Sequence, residues 1–134
     1  MIKKMTAVLF TRDVNACAKF WTDRLGATLT AEVPGPDGPF FAMLQCGPVE
    51  VMYQSLTSMA NEPEKMRAAA GQGPTYLFVE VADLAQLLQA TQDLPRAKDV
   101  HDTFYGSREF SVTDPAGHFI TFAQMAVAPA SATP

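Results

Sequence analysis

The chain contains few basic residues and lacks any cluster of them. Lysine and arginine together number 10 against 14 aspartate and glutamate residues, which gives a formal net charge of −4. Nucleic-acid binding requires clustered positive charge, and the only adjacent basic pair is Lys3-Lys4. We therefore expect no nucleic-acid partner, and the acidic balance suits a cationic ligand better than an anionic one.

Cysteines and long apolar runs are also scarce. Cys17 and Cys46 form no CxxC motif and have no neighbouring histidine, so we predict reduced, buried residues rather than metal ligands. The apolar run near the start, residues 7–10, is too short for a signal peptide or a membrane span. We expect no membrane contact and, by default, a cytoplasmic protein.

The first half of the chain carries a strand, a helix and three further strands. Asp13 stands where a helix N-cap is expected, apolar residues follow it at helical spacing, and Gly26 supplies the stop. Turn-forming residues separate the apolar segments on either side of this helix. The predicted strands are residues 5–11, 27–33, 40–46 and 49–54.

The second half repeats this order after a connection over residues 55–74, in which residues 61–63 are predicted to cap a short helix that runs through residues 66–70. Asp83 is the predicted N-cap of the next helix, whose apolar side carries four leucines. The leucines are Leu84, Leu87, Leu88 and Leu94, and the predicted strands are residues 75–81, 98–104, 108–113 and 119–123. The tail, residues 126–134, consists of Ala, Pro, Ser and Thr and is predicted to be disordered.

Both halves therefore predict the same βαβββ unit. Asp13 and Asp83 are 70 positions apart, as are the glycines at 47 and 117 and the glutamines at 54 and 124. At 134 residues the chain suits one domain. We predict a single α+β domain over residues 1–125, with module one at about 5–54 and module two at about 75–125.

Two stretches resemble a known superfamily. TAVLFTRDVNACAKFWTDRLGATLTAEV, residues 6–33, and REFSVTDPAGHFITF, residues 108–122, resemble the opening and the closing hairpin of the glyoxalase, bleomycin-resistance and extradiol-dioxygenase (vicinal oxygen chelate) proteins. The Arg-Glu-Phe stretch is closest to the bleomycin-resistance-like branch. The resemblance implies two βαβββ modules in a curved, half-open mixed-sheet barrel with one cleft, and a homodimer.

Metal-dependent members of the superfamily bind a divalent cation at four inward strand positions. The resemblance puts these positions at Thr6, Glu50, Tyr76 and Thr121. Only Glu50 is a good ligand for Zn, Ni or Fe(II), because neutral hydroxyls contribute little. His101 and His118 fall elsewhere, at predicted structural or surface positions. We expect no metal and no other cofactor.

The same cleft positions, with aromatic and basic neighbours, are the candidate ligand-binding residues. They are Thr6, Phe41, Glu50, Met52, Tyr76, Phe78, Arg108 and Thr121. Glu50 is either a paired structural carboxylate, a partner for a ligand cation, or a general base with a raised pKa, and Arg108, Tyr76, water or the ligand is expected to satisfy it. Tyr76 can also be an ordinary core residue, and Trp21 is expected to pack against the sheet.

Two functions remain open. The first is metal-independent binding, or sequestration, of a small hydrophobic or aromatic molecule, neutral or cationic, as the likeness to bleomycin-resistance proteins implies; antibiotic resistance would be its biological use. The alternative is a lyase, isomerase or dioxygenase that uses a divalent metal or Glu50. No catalytic residue other than Glu50 is suggested.

Overall fold

The computed structural model describes residues 1–126, and they form two compact units. The first comprises Met1–Thr75 with Asp114–His118, and the second comprises Tyr76–Thr113 and the chain from Phe119 onward. Apart from Ala126, the predicted disordered tail lies outside the described residues. No helix within residues 1–126 is long and apolar enough to cross a membrane.

Module one is a βαβββ unit whose four strands form one open, mixed sheet. The sheet order is β1-β4-β3-β2, with β1 parallel to β4 and the other pairs antiparallel. Its elements are β1 (Ala7–Thr11), α1 (Val14–Leu25), β2 (Thr28–Val33), β3 (Phe41–Cys46) and β4 (Val49–Ser55). The predicted order of elements is confirmed, with ends displaced by one or two residues.

Helix α1 begins and ends at the predicted residues. The Asp13 carboxylate accepts a hydrogen bond from the Ala16 amide at 3.0 Å, which satisfies one of the free N–H groups of the first turn. Gly26 ends the helix in the left-handed conformation at φ 70°, which a side chain would disfavour.

The core of the first unit lies between α1 and one face of its sheet. Trp21 is 3% exposed, which confirms that it packs on the sheet, and its indole N–H donates to the Tyr53 hydroxyl at 2.9 Å. That hydroxyl donates in turn to Asp114 Oδ2 at 2.6 Å. All three side chains are buried, so this chain of hydrogen bonds satisfies polar groups that water does not reach.

His118 has the structural role expected of it in the same unit. Its Nδ1 accepts from the Thr75 amide at 2.8 Å, so the ring proton is on Nε2, which lies 2.8 Å from the Phe10 carbonyl oxygen and donates to it. The ring is buried, and both nitrogens are used.

The connection between the modules contains two short helices. A 3-10 helix, Leu56–Asn61, was not expected, whereas α2 spans Glu64–Ala69, directly after the predicted cap and one residue short of the predicted end. The Ser55 hydroxyl caps the 3-10 helix by accepting from the Ser58 amide at 3.1 Å.

Module two repeats the unit with its own open sheet in the order β5-β8-β7-β6. Phe110, Val112, Ile120 and Phe122 are buried at 0–1% exposure on its core face. The elements are β5 (Tyr76–Glu80), α3 (Leu84–Ala90), β6 (Lys98–Asp102), β7 (Ser107–Thr113) and β8 (Phe119–Met125).

Helix α3 is shorter than predicted, because Leu94 lies beyond its end. The Thr91 hydroxyl donates to the Leu87 carbonyl at 2.6 Å, and Arg96 donates to the Leu88 carbonyl at 3.3 Å. Side chains therefore satisfy the last carbonyl groups and end the helix at Ala90. Asp83 caps its start, as predicted, by accepting from the Ala85 amide.

Candidate functional site

Each sheet has a core face and an opposite face, which we call the far face of its module. Successive side chains of a strand alternate between the two faces, so the register of each sheet assigns them. In module one, α1 contacts the core face, where Tyr53 and Leu44 are buried. Phe41, Met43 and Met52 are on the far face and half-buried, which places two of the predicted ligand-binding residues, Phe41 and Met52, together.

Glu50 lies at one end of the far face of module one and is paired within that module. Thr6 Oγ1 donates to its Oε1 at 2.6 Å, and Lys4 Nζ lies 3.0 Å from its Oε2. The hydrogen bonds from Thr6 and Lys4 hold the pKa of Glu50 below its usual value. The prediction of a general base with a raised pKa is therefore wrong, and Lys4 and Thr6, rather than Arg108 or Tyr76, satisfy this carboxylate.

The far face of module two carries three aromatic side chains. Tyr76 and Phe119 stack with ring centroids 4.9 Å apart and an interplanar angle of 27°. Phe78, two residues along β5, is on the same face and is 56% exposed. Tyr76 is 75% exposed, so its alternative assignment as a core residue is wrong.

The repeat places different chemistry at equivalent positions. In module one the pairing register brings Thr6 beside Glu50, whereas in module two the residue that pairs with Tyr76 is Phe119. The aromatic stack therefore stands where module one has a hydrogen-bonded carboxylate. Thr121, the predicted equivalent of Glu50, pairs instead with Phe78, and its hydroxyl is 2.7 Å from that of Ser111.

Arg108 does not join these residues. Arg108 pairs with Gln124, and the next pair along the two strands is Glu109 with Ala123, which faces the far side. Because neighbouring residues of a strand face opposite sides, the Arg108 side chain leaves the sheet on the core side. There it lines a surface pocket of about 360 Å³ together with Asp102 and Gln124. The structure corrects the expected grouping of Arg108 with Phe78 and Thr121.

A buried glutamate on the far face of module two was missed from the sequence. Glu109 is 5% exposed, and its Oε2 accepts hydrogen bonds from the Ser107 hydroxyl at 2.6 Å and from the Tyr105 hydroxyl. His101 Nε2 lies 4.0 Å from its Oε1. The signal was present, because Glu109 is the middle residue of the Arg-Glu-Phe stretch and must face opposite to Arg108.

The four positions that the resemblance assigns to a metal ion do not fit one here. Thr6, Tyr76 and Thr121 offer neutral hydroxyls, and the carboxylate of Glu50 already binds the ammonium group of Lys4. Residues 1–126 contain no group of three or more His, Cys, Asp or Glu side chains arranged to hold a metal ion. The donor chemistry thus disagrees with a metal centre at these positions.

Solved structures share this fold at low sequence identity. TioX from Micromonospora sp. ML1 superposes with a TM-score of 0.76 at 21% identity, covering 92% of this chain and 99% of that chain. Lactoylglutathione lyase from Agrobacterium tumefaciens gives 0.72 at 17% identity, covering 91% and 92%. A bleomycin resistance determinant encoded on the transposon Tn5 gives 0.68 at 16% identity, covering 94% and 100%. At such identities the likeness establishes the fold alone.

The sequence comparisons establish the family. No curated protein matched the chain significantly. The family model described as Glyoxalase/Bleomycin resistance protein/Dioxygenase superfamily matches residues 5–122, which include module one and all of module two except the last three residues of β8. The chain belongs to the glyoxalase/bleomycin resistance protein/dioxygenase superfamily.

Proposed function

We propose that the protein binds a small hydrophobic or aromatic molecule, neutral or cationic, without a metal ion. The observation that carries the proposal is the aromatic group on the far face of module two, in which Tyr76 and Phe78 are exposed and Phe119 is half-buried. Exposed aromatic clusters are costly in water and mark surfaces that bind apolar partners. Flat rings stacked on one another also offer a flat ligand the offset contact that aromatic groups prefer.

The chemistry of the remaining candidates supports binding over catalysis. Glu50 has a lowered pKa and an ammonium partner, whereas a general base working at neutral pH needs a pKa near that pH. The far face of module one supplies half-buried Phe41 and Met52, which are suitable for apolar contact. The proposal includes a cytoplasmic homodimer that sequesters its ligand. One use of such binding is the sequestration of an antibiotic, which the name of the Tn5 determinant suggests for that protein.

Two probes of nearly the same shape test the proposal. Biphenyl-4-carboxamide is neutral, and biphenyl-4-carboxamidine is cationic. We expect at least one of them to raise the melting temperature of the purified protein by about 5 °C at ten times its dissociation constant. Phe78→Ala should remove this shift. The matched control is Phe104→Ala, because Phe104 is fully exposed in the loop between β6 and β7 and should leave the shift unchanged.

Elemental analysis tests the claim that binding needs no metal ion. Tag-free protein is analysed before and after incubation with Zn, Ni, Mn and Fe(II). We expect far less than one metal ion per chain. Retention of about one ion per chain would overturn the proposal and direct attention to lyase, isomerase and dioxygenase assays. Absence of any shift with both biphenyl probes would overturn the binding function itself.

A further inference from the structure

Glu109 is a buried carboxylate that remains ionised. Burial raises the pKa of a carboxyl group, but here the hydrogen bonds from Ser107 and Tyr105, together with the charge of Lys98 and that of His101 when it is protonated, leave the pKa of Glu109 lowered. A buried negative charge is costly unless a cation or several hydrogen bonds compensate it. The compensation is uneven between its two oxygens.

Both hydroxyl donors bind the same oxygen. Oε2 accepts from Ser107 and Tyr105, whereas Oε1 accepts no hydrogen bond from any residue within 1–126. The nearest basic nitrogen to Oε1 is His101 Nε2, at 4.0 Å. The other nitrogen of that ring, Nδ1, lies 2.8 Å from the Asp99 carbonyl oxygen, so in neutral His101 it carries the proton. Nε2 then turns a lone pair, not a proton, toward Glu109.

Two hydrogen-bond acceptors, Glu109 Oε1 and His101 Nε2, therefore stand 4.0 Å apart when His101 is neutral. Neither can satisfy the other, and a ligand with two adjacent N–H groups would satisfy both. An amidinium, a guanidinium or a primary ammonium group has such donors and brings a positive charge that neutral His101 does not supply. Neutral hydroxyl ligands would supply hydrogen bonds without the charge.

The aromatic group and Glu109 share the far face of module two. Phe78 pairs with Thr121, Thr121 pairs with Ser111, and Glu109 is two residues from Ser111 on β7. Two strand spacings and a two-residue offset give a separation of about 12 Å between the Cα atoms of Phe78 and Glu109. A two-ring aromatic compound with a terminal amidine group has a length comparable to this separation.

We propose that Glu109 binds the cationic group of an aromatic amine or amidine whose rings lie on Tyr76, Phe78 and Phe119. The inference rests on the proposed function, because it names the ligand class for the same face. In this arrangement Ser107 and Tyr105 are positioning residues, since they hold Oε2 and leave Oε1 directed at the ligand.

Isothermal titration with biphenyl-4-carboxamidine and biphenyl-4-carboxamide at pH 8 tests the assignment. The wild-type protein should bind the amidine about tenfold to a hundredfold more tightly than the amide, the range of one charge-assisted hydrogen bond. Glu109→Gln should bring this ratio close to one while leaving the affinity for the amide unchanged. The matched control is Glu80→Gln, because Glu80 is an exposed carboxylate in the same cross-strand row as Glu109 and should keep the preference.

The outcomes separate the inference from the function. If wild-type protein binds both compounds and Glu109→Gln keeps the preference for the amidine, Glu109 only fixes the loop between β6 and β7, and the inference fails while the binding function stands. Failure of wild-type protein to bind either compound would overturn both. Should Glu109→Gln not fold, NMR of the wild type decides: the amidine, but not the amide, should shift the backbone amide resonances of Glu109 and Ser107, and equal shifts would contradict the inference.

Discussion

Removal of one hydroxyl, in Tyr53→Phe, should destabilise the first unit strongly. The Tyr53 ring is fully buried, and burial and the neighbouring Asp114 raise the pKa of its phenol, which therefore stays protonated and donates to that carboxyl. The substitution deletes this bond and leaves the Trp21 indole N–H without its acceptor. A hydrogen bond to a charged group contributes about 1.5–3 kcal/mol and a neutral one about 1 kcal/mol.

We expect a loss of about 3 kcal/mol in the free energy of unfolding, a large part of the ~5–15 kcal/mol that is typical of a domain. An unfolding entropy of about 2.1 cal/mol/K per residue converts this loss into a fall of ~10 °C in melting temperature. Trp21 is the single tryptophan of the chain, so its fluorescence in a urea titration reports directly on this site.

Tyr105→Phe is the matched control, because Tyr105 also donates to a carboxylate, that of Glu109, but is 48% exposed. Ser107 still donates to the same oxygen of Glu109 and water reaches the exposed side of Tyr105, so the loss in Tyr105→Phe should stay below about 1 kcal/mol when unfolding is followed by circular dichroism. Equal, small losses for Tyr53→Phe and Tyr105→Phe would refute the reasoning, since they would mean that the buried network adds nothing beyond a solvated bond.

Three further measurements follow from the structure. The pKa of Glu50 is lowered in the folded protein, so its contribution to stability is present above the unfolded pKa near 4.5 and is lost as the pH falls through the folded pKa. The difference in melting temperature between wild type and Glu50→Gln should therefore shrink from pH 6 to pH 3. A constant difference would contradict this. His118→Ala removes two buried hydrogen bonds and should lower the free energy of unfolding in urea by about 2–3 kcal/mol, whereas His101→Ala should lower it by less than about 1 kcal/mol. Similar losses for the two variants would argue against the structural role of His118. Burial raises the pKa of Cys17 to about 11, so a thiol reagent at pH 8 should label half-buried Cys46 first and Cys17 only on unfolding, and fast labelling of both would oppose the assignment.

The repeated pattern of caps and stops accounts for how much of the fold could be predicted. Asp13 and Gly26 act through hydrogen bonds and backbone angles within a few residues of themselves, so their roles can be predicted from the sequence alone. The end of α3 was misplaced because Arg96, eight residues beyond Leu88, supplies the donor that ends it. The 3-10 helix after β4 was missed, since Ser55 carries a common capping side chain without a following apolar period.

The candidate site was predicted less well, because it depends on which residues become neighbours across strands. Glu50 was identified, but its partner Lys4 lies before the first strand and 46 positions away, and no sequence pattern joins the two. Thr121 was chosen by counting from a glycine, whereas the register of β5 and β8 puts Phe119 beside Tyr76. Phe119 and Thr121 are two positions apart and share a face of β8, but only the pairing register decides which of them is adjacent to Tyr76.

Local chemistry in the sequence thus determined the two βαβββ modules, the superfamily resemblance and the shortage of metal ligands, because each depends on residue type and short spacing. Tertiary structure alone decided the charge state and partners of Glu50, the exposure of Tyr76 and the importance of Glu109. The physical reason is that pKa and burial depend on neighbours brought together by strand pairing, and the side-chain period of two makes those neighbours sensitive to register.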